Sequence, residues 1–314
     1  MKLVLTTAVS LLFTHAAWGQ TWPSKPLQWL VPFAAGGSSD NAVRVVADKL
    51  SPQIGQPVVV INRPGANGDI AAEAVASSAP DGQTIFLTVP SLVTNAFYFK
   101  SSVDPARLAP VIQMTAGAYL LLTSAKFTGR SVGEIIQMVR AKPGAVTCAM
   151  TGGQGSIACE MLKFHAKADM LLVPYKGSAP ALTAAMAGEI DLLFNFSNTA
   201  DSQVRAGRVR AIATTAAKRG GMPMPDLPAV AETLNDFEVL GWHGVSLARA
   251  TPRDLILRIN REFNTALAHP DVKSKFAEGG LEAVGGSPEA FEARLRAEHN
   301  RYGPVLKAAG VVPQ

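Results

Sequence analysis

The chain has 314 residues, of which 48% are hydrophobic and only 17% charged, well under the roughly 25% charged of an average globular protein. That balance excludes an intrinsically disordered chain and supplies apolar material for about two domains. The net charge of +5 is a mild bias toward anionic ligands. Its basic residues are scattered, and only four Trp and four Tyr accompany them, which excludes the basic, aromatic-studded surface of a nucleic-acid-binding protein.

The first segment reads as a targeting signal. Lys2 precedes the apolar run Leu3 to Phe13, and the small residues Ala17 and Gly19 flank Trp18, the order of a secretory signal peptide cut after Gly19. The alternatives are a membrane anchor or an ordinary first strand. An anchor needs about 20 apolar residues, and Thr6, Thr7 and Ser10 weaken a buried strand. Residues 1–19 are therefore expected to be removed on export; the loss of Lys2 leaves 28 basic against 24 acidic residues, a net charge of +4.

Beyond the signal, strand and helix patterns alternate as they do in parallel sheets. Leu27 to Phe33 is the first strand. It feeds the loop Ala34 to Asp40 and a helix whose apolar residues Ala42, Val43, Val46, Ala47 and Leu50 recur at helical spacing. Pro57 to Ile61, Thr84 to Val89, Val111 to Thr115 and Tyr119 to Thr123 follow as strands. Ala145 to Met150 leads into a second Gly/Ser loop, Thr151 to Ser156, and a helix carrying Ile157, Ala158, Met161 and Leu162. Further strands are expected at Leu171 to Pro174, Asp191 to Phe194, Val209 to Thr214 and Val239 to Leu247. Thr251-Pro252-Arg253-Asp254 caps a helix with Leu255, Ile256, Ile259, Phe263 and Leu267, and Ser287-Pro288-Glu289 starts the last one, with Phe291, Leu295, Tyr302 and Leu306 on one face.

Two places interrupt this rhythm. Ala116-Gly117-Ala118 joins two apolar stretches, and Thr215 to Pro228 holds Gly220, Gly221, Pro223, Pro225 and Pro228. Both read as domain crossings. The chain is expected to form one domain from residues 20–117 and 229–314 and a second from residues 118–228, each with one Gly/Ser loop ahead of a helix. Unpaired N–H groups and the dipole at a helix N-terminus attract anions, so two such turns imply one small anion held between two lobes.

The runs Val31-Pro32-Phe33-Ala34-Ala35-Gly36-Gly37-Ser38-Ser39-Asp40, Asn62-Arg63-Pro64-Gly65-Ala66-Asn67-Gly68, Ala79-Pro80-Asp81-Gly82, Val173-Pro174-Tyr175-Lys176-Gly177 and Ala187-Gly188-Glu189-Ile190-Asp191-Leu192 resemble those of the Bug-type receptors. These are the periplasmic solute-binding components of tripartite tricarboxylate transporters. The similarity continues through Arg210 to Ala213 and Val284 to Glu289 and covers nearly the whole mature chain. It implies an α/β, two-lobed type II periplasmic-binding-protein fold of the Venus-flytrap kind, with the ligand cleft between the lobes. It also implies a small carboxylate met mainly by backbone amides and ordered waters, transient contact with transporter membrane subunits, a periplasmic monomer and no cofactor.

The candidate ligand-binding residues are Phe33, Gly36, Gly37, Ser38, Ser39 and Ser91 in the first domain, and Gly153, Gln154, Gly155, Ser156 and Asn195 in the second. Each has a structural alternative: the glycines as tight turns, and Ser38, Ser39 and Ser156 as helix N-caps. Asp40 reads as a first-turn dipole partner or as the orienter of a ligand amino group. Family members often carry Asp where this chain has Asn195, and the neutral side chain favours a carboxylate without an ammonium group. Phe33, Phe196 and Trp242 are cleft-wall candidates, with core packing the alternative; Tyr175 and Lys176 are expected on the rim.

An exported hydrolase-like enzyme and a sensor partner of a signalling kinase are the competing readings. Gly153-Gln154-Gly155-Ser156-Ile157-Ala158 matches a dinucleotide fingerprint, but the next strand ends in Pro-Tyr-Lys without the acidic residue that binds a ribose. There is no G-x-S-x-G elbow, no H-E-x-x-H and no C-x-x-C, so neither an α/β-hydrolase elbow nor a zinc site is indicated. Cys148 at a strand end and Cys159 in the second turn of the following helix can approach as the chain doubles back, and export favours a disulfide between them.

Overall fold

The computed structural model describes residues 22–98, 103–151, 153–175, 177–220 and 224–311. The signal-peptide segment and Lys176 lie outside the described residues. The first lobe begins with β1 (Leu27–Val31), α1 (Ser38–Ile54), β2 (Val58–Asn62), α2 (Asp69–Ala76), β3 (Thr84–Thr88) and α3 (Ser91–Tyr98). β1 lies between β2 and β3, parallel to both. Every residue of β1 except Gln28 is buried, as expected of a central strand covered on both faces. Helix α1 turns Ala42, Val43, Val46, Ala47 and Leu50 inward and stops at Gly55, whose φ of 70° is the left-handed conformation that glycine adopts freely.

β4 (Leu108–Ser124) follows as a single strand of 17 residues. The break expected at Ala116 to Ala118 is absent: the pairing of β4 with β9, irregular near Val111 and Met114, runs regularly from Thr115 to Ala118 with Gly117 opposite Gly241; small residues there thin the strand without ending it. The second lobe then adds α4 (Val132–Ala141), β5 (Thr147–Met150), α5 (Gly153–Ala166), β6 (Leu171–Pro174), α6 (Ser178–Ala187), β7 (Leu192–Phe196), α7 (Ser197–Arg205) and β8 (Val209–Thr214). β9 (Leu240–Ala248) returns to the first lobe, followed by α8 (Arg253–Ala268), α9 (Pro270–Glu278), β10 (Glu282–Gly285) and α10 (Pro288–Ala308). β10 was not expected from the sequence, since it has four residues and buries none fully.

The sheet is mixed. Along one path its order is β2-β1-β3-β9-β4-β7-β5-β6, with β8 and β10 also paired to β4. β4 pairs with β9 over Leu108 to Ala118, then with β7 and β8 over Tyr119 to Ser124. Each lobe thus has the same order, β2-β1-β3-β9-β4 and β6-β5-β7-β4-β8, in which the fourth strand arrives from the other lobe and runs antiparallel to its neighbours. β1 and β3 run in the sense of β4, while β5, β6 and β7 run against it. The carboxyl ends of the two sets therefore face one another, and the space outside such ends is where α/β sheets bind ligands.

The cores follow this division. Trp29, Val43, Leu50, Val245 and Phe263 pack together in the first lobe, with Trp29 and Phe263 edge to face at 5.2 Å between ring centres. Leu121, Ile135, Ile157, Met161 and Phe194 form the main core of the second, joined by Val230, Leu234, Phe237 and Val239. That core contains a disulfide between Cys148 and Cys159, with Cα atoms 6.2 Å apart. Helix α10 spans the lobes: Phe291 packs on Trp242 and Val93, whereas Tyr302, Val305 and Leu306 enter the second core.

The helix starts differ from expectation. α8 begins at Arg253 with Pro252 at its N-cap and no side-chain cap; Thr251 Oγ1 is buried without a partner among the described residues. Proline at the N-cap carries no side-chain acceptor, so the first N–H groups of α8 have no side-chain cap. At α1 the N-cap is Gly37, which places Ser38 and Ser39 inside the first turn, and Ser156 lies within α5.

Candidate functional site

The N-terminus of α1 is uncapped by any side chain. Among the described residues, the N–H groups of Ser38, Ser39 and Asp40 have no acceptor; the first internal bond of the turn is Asn41 N–H to Gly37 O, 2.9 Å. Three unfilled donors stand at the positive end of a 17-residue helix, the arrangement of backbone groups that attracts anions. Gly36 is exposed with φ +83°, a left-handed turn that glycine takes without strain, and a side chain there would meet open space. The Asp40 carboxylate is engaged within the loop. It accepts from Gly36 N–H, Arg44 Nε and Asn62 Nδ2, each at 2.9 Å. The Arg44 guanidinium, with help from the other two donors, holds its pKa down at about 2. The carboxylate therefore fastens the loop, and the Arg44 guanidinium is committed to it. Phe33 is 36% exposed, and its carbonyl accepts from Asn62 Nδ2. Ser91 begins α3 and abuts Gly68, where a Cβ would come 3.3 Å from Ser91 Oγ.

Ser39 makes a contact that the sequence does not announce. Its Oγ lies 2.9 Å from Nε2 of His243 on β9, and Nδ1 of the same ring lies 2.8 Å from Oγ1 of Thr115 on β4. Burial pushes the imidazole pKa down to about 4, so His243 is neutral at physiological pH. The unfolded chain takes up this proton near pH 6.5 and the folded chain only near 4, so across that window the unfolded state binds more protons and stability falls with falling pH. We expect about 2 kcal/mol of such loss between pH 7 and pH 4.5. A His243→Gln variant should lack this component in urea denaturation at the two pH values; equal losses in variant and wild type would refute the assignment.

At the N-terminus of α5 the expected residues divide. Gly153 is exposed at φ +52° with open space beside it. Gly155 is buried, and a Cβ there would lie 2.3 Å from Thr151 Oγ1 and 3.1 Å from the Phe194 carbonyl; packing alone explains its lack of a side chain. Gln154 Nε2 donates to Leu240 O and to the Tyr302 hydroxyl, both at 3.2 Å, so this side chain braces the helix against β9 and α10. Ser156 is buried in the first turn. Asn195 is also buried: its Oδ1 accepts from Phe196 N–H at 2.8 Å and Thr199 Oγ1 at 3.0 Å, holding the start of α7.

One strand thus ties the two helix starts together. Ser39 of α1 is held by His243 and Gln154 of α5 by Leu240, three positions apart on β9, about 10 Å of strand. The three aromatic candidates separate as well. Trp242 is a core residue, stacked edge to face on Phe291 with its indole N–H on Glu298. Phe196 packs over the glycine pair, since a Cβ on Gly117 or Gly241 would strike its ring. Phe33 is the most exposed of the three and Phe196 is half-buried. A cavity of about 550 Å³ lies beside the crossing strands, with Ala116, Ala118, Leu240 and Leu281 in its wall and none of the expected ligand residues.

The chain matches, over residues 42–311, the family described as tripartite tricarboxylate transporter family receptor. Its fold is shared with solved structures. Rpa4515 of R. palustris, determined with adipate, is 31% identical with a TM-score of 0.78, covering 93% of this chain and 100% of that one. The periplasmic binding protein BugD is 29% identical with a TM-score of 0.75, covering 93% and 100%. MatC of Rhodopseudomonas palustris, with bound malate, is 28% identical with a TM-score of 0.75, covering 91% and 100%.

Proposed function

We propose, from the premise that the chain belongs to the tripartite tricarboxylate transporter receptor family, that it captures a small carboxylate between its lobes, at the N-termini of α1 and α5. The observation that carries this reading is the anchoring of both helix starts on β9, which keeps two positive helix ends within reach of one ligand. An anion that bridges them binds the closed form more tightly than the open one and so shifts the population toward closure. The adipate and malate in the structures of Rpa4515 and MatC place this ligand class in the same fold.

On this reading the ligand residues are Phe33, Gly36, Gly37, Ser38, Ser39, Ser91 and Gly153. Gln154, Gly155, Ser156 and Asn195 support them from within the second lobe. The lobes divide at Gly117 on the way out and, on the way back, at Gly241, its partner, in place of the expected return at residue 229, because Val230, Leu234, Phe237 and Val239 pack in the second core. The protein works in the periplasm as a monomer after loss of its signal peptide, hands its ligand to membrane subunits and performs no turnover. A phosphate ester is disfavoured, because full desolvation of its charge recruits arginine forks and Arg44 is committed to Asp40.

A thermal-shift panel tests the ligand class. A carboxylate present at about 1,000 times its dissociation constant should add roughly 4 kcal/mol and raise the melting temperature by several degrees. Adipate, malate and succinate are expected to shift it while sugars, amino acids and phosphate esters do not. Shifts with sugars or phosphate esters and silence from every carboxylate would reject the reading.

A further inference from the structure

We propose that His243 is a positioning residue that fixes the Ser39 hydroxyl as a hydrogen-bond donor to the bound anion. This rests on the carboxylate reading above and adds to it a side-chain contact and the device that orients it. Ser39 is the second residue of α1, inside the turn whose backbone donors stand open, and it is 9% exposed. Nothing in its neighbourhood in sequence sets its rotamer; His243 does, from 204 residues away.

The direction of the hydrogen bonds follows from counting protons. Thr115 is fully buried, and its Oγ1 accepts from the backbone N–H of His243 at 3.2 Å. Its own proton has one acceptor within reach among the described residues, Nδ1 of His243 at 2.8 Å. A neutral imidazole carries a single N–H, so a ring that accepts at Nδ1 is protonated at Nε2 and donates to Ser39 Oγ. Burial keeps the second proton off the ring. Ser39, accepting from Nε2, has its own O–H left over, and no described residue accepts it. The opposite tautomer would satisfy Ser39, which reaches the surface, and strand the proton of Thr115, which does not. Leaving the buried group unpaired is the costlier choice.

The result is a chain of donors, Thr115 to His243 to Ser39, that ends at the mouth of an anion site. It superficially matches the nucleophile, base and third group of a serine hydrolase. A general base needs an unprotonated Nε2, however, and here the proton sits on that atom. The same three residues therefore bind and do not cleave.

The test uses the full mature chain. With histidine labelled in ¹⁵N, the imidazole spectrum, assigned by loss of signal in His243→Gln, should show the proton on Nε2 at pH 7 and at pH 5.5. In calorimetry with adipate and malate as probes, Ser39→Ala should bind about 10- to 100-fold more weakly, the loss of one hydrogen bond to a charged group. Ser39→Thr, which keeps the hydroxyl, should recover most of this. His243→Gln, which retains a donor facing Ser39, should bind more tightly than His243→Leu. A proton on Nδ1, or Ser39→Ala affinity equal to wild type, overturns the proposal while leaving the carboxylate reading intact. Wild-type protein that responds to sugars or phosphate esters and to no carboxylate of the thermal-shift panel overturns both. Hydrolysis of p-nitrophenyl acetate that disappears in Ser39→Ala would also overturn it and make Ser39 a nucleophile.

Discussion

Replacing Arg294 with alanine is expected to cost the fold about 3 kcal/mol at pH 7. The Glu298 carboxyl is 2% exposed and is met by the Arg294 guanidinium at 2.7 Å and the Trp242 indole N–H at 2.8 Å, both on Oε1. Its other oxygen has no partner among the described residues. Burial pushes the Glu298 pKa upward while Arg294 opposes the shift. Without the guanidinium the carboxylate is left buried with a single neutral donor, and it rises further. The penalty should therefore grow with pH, because it is charged only in the ionised form, and shrink toward pH 5 as Glu298 takes up a proton. Urea denaturation at the two pH values measures this. Replacing both residues by methionine should recover most of the loss, since breaking a buried pair costs more than exchanging it for apolar volume. A single substitution that costs less than about 0.5 kcal/mol at pH 7 would show the pair to be expendable.

Loss of the Cys148–Cys159 bond should have an effect of similar size. The bridge closes a short loop, with a sequence separation of 11, for which the chain-entropy account gives about 3 kcal/mol. Both residues are fully buried in the second lobe, so a Cys148→Ala, Cys159→Ala double variant also leaves the core slightly underfilled. The loop it closes contains the exposed Gly153 turn, and the double variant should lose carboxylate affinity as well as stability. These are the chain's two cysteines, so alkylation of the denatured, unreduced wild type should label none. A double variant as stable as wild type would place the loop's rigidity elsewhere.

What the sequence reveals is set by how local each feature is. The inward face of α1 is periodic from Ala42 to Leu50, about two and a half turns, and all five residues expected there are buried. The bridged cysteines are also near neighbours in the chain. The long strand β4 reads as two because glycine and alanine weaken any strand pattern, and the Phe196 ring packed against Gly117, which explains the missing side chain, comes from a distant strand. Trp242 was a fair candidate for the cleft wall, since an aromatic residue on a strand gives no sign of which face it takes; α10 covers it in the fold. His243 and Thr115 were missed for the reason that matters most at the site. Their partnership with Ser39 joins residues 204 and 76 positions apart, held together by three separate strands and helices, and no spacing rule reaches that far. Gln154 shows the converse: a residue inside a recognisable loop whose side chain turns away toward β9.

Helix α10 turns the two-lobed body into a linkage with three members. β4 and β9 lie side by side and define an axis about which one lobe can swing. α10 stands off that axis, with Phe291 fixed to one lobe and Tyr302, Val305 and Leu306 to the other, and so acts as a stay that limits the swing to the arc its own bending permits. Pro304 lies in the part of the helix that already enters the second core, between Tyr302 and Val305, so the span that joins the two anchors, Phe291 to Tyr302, contains no proline to interrupt its helical ladder. A stiff span of this kind would resist the parting of the lobes, so that any open form would be reached against the bending of α10 and the closed form would need less of the ligand's binding free energy to hold it.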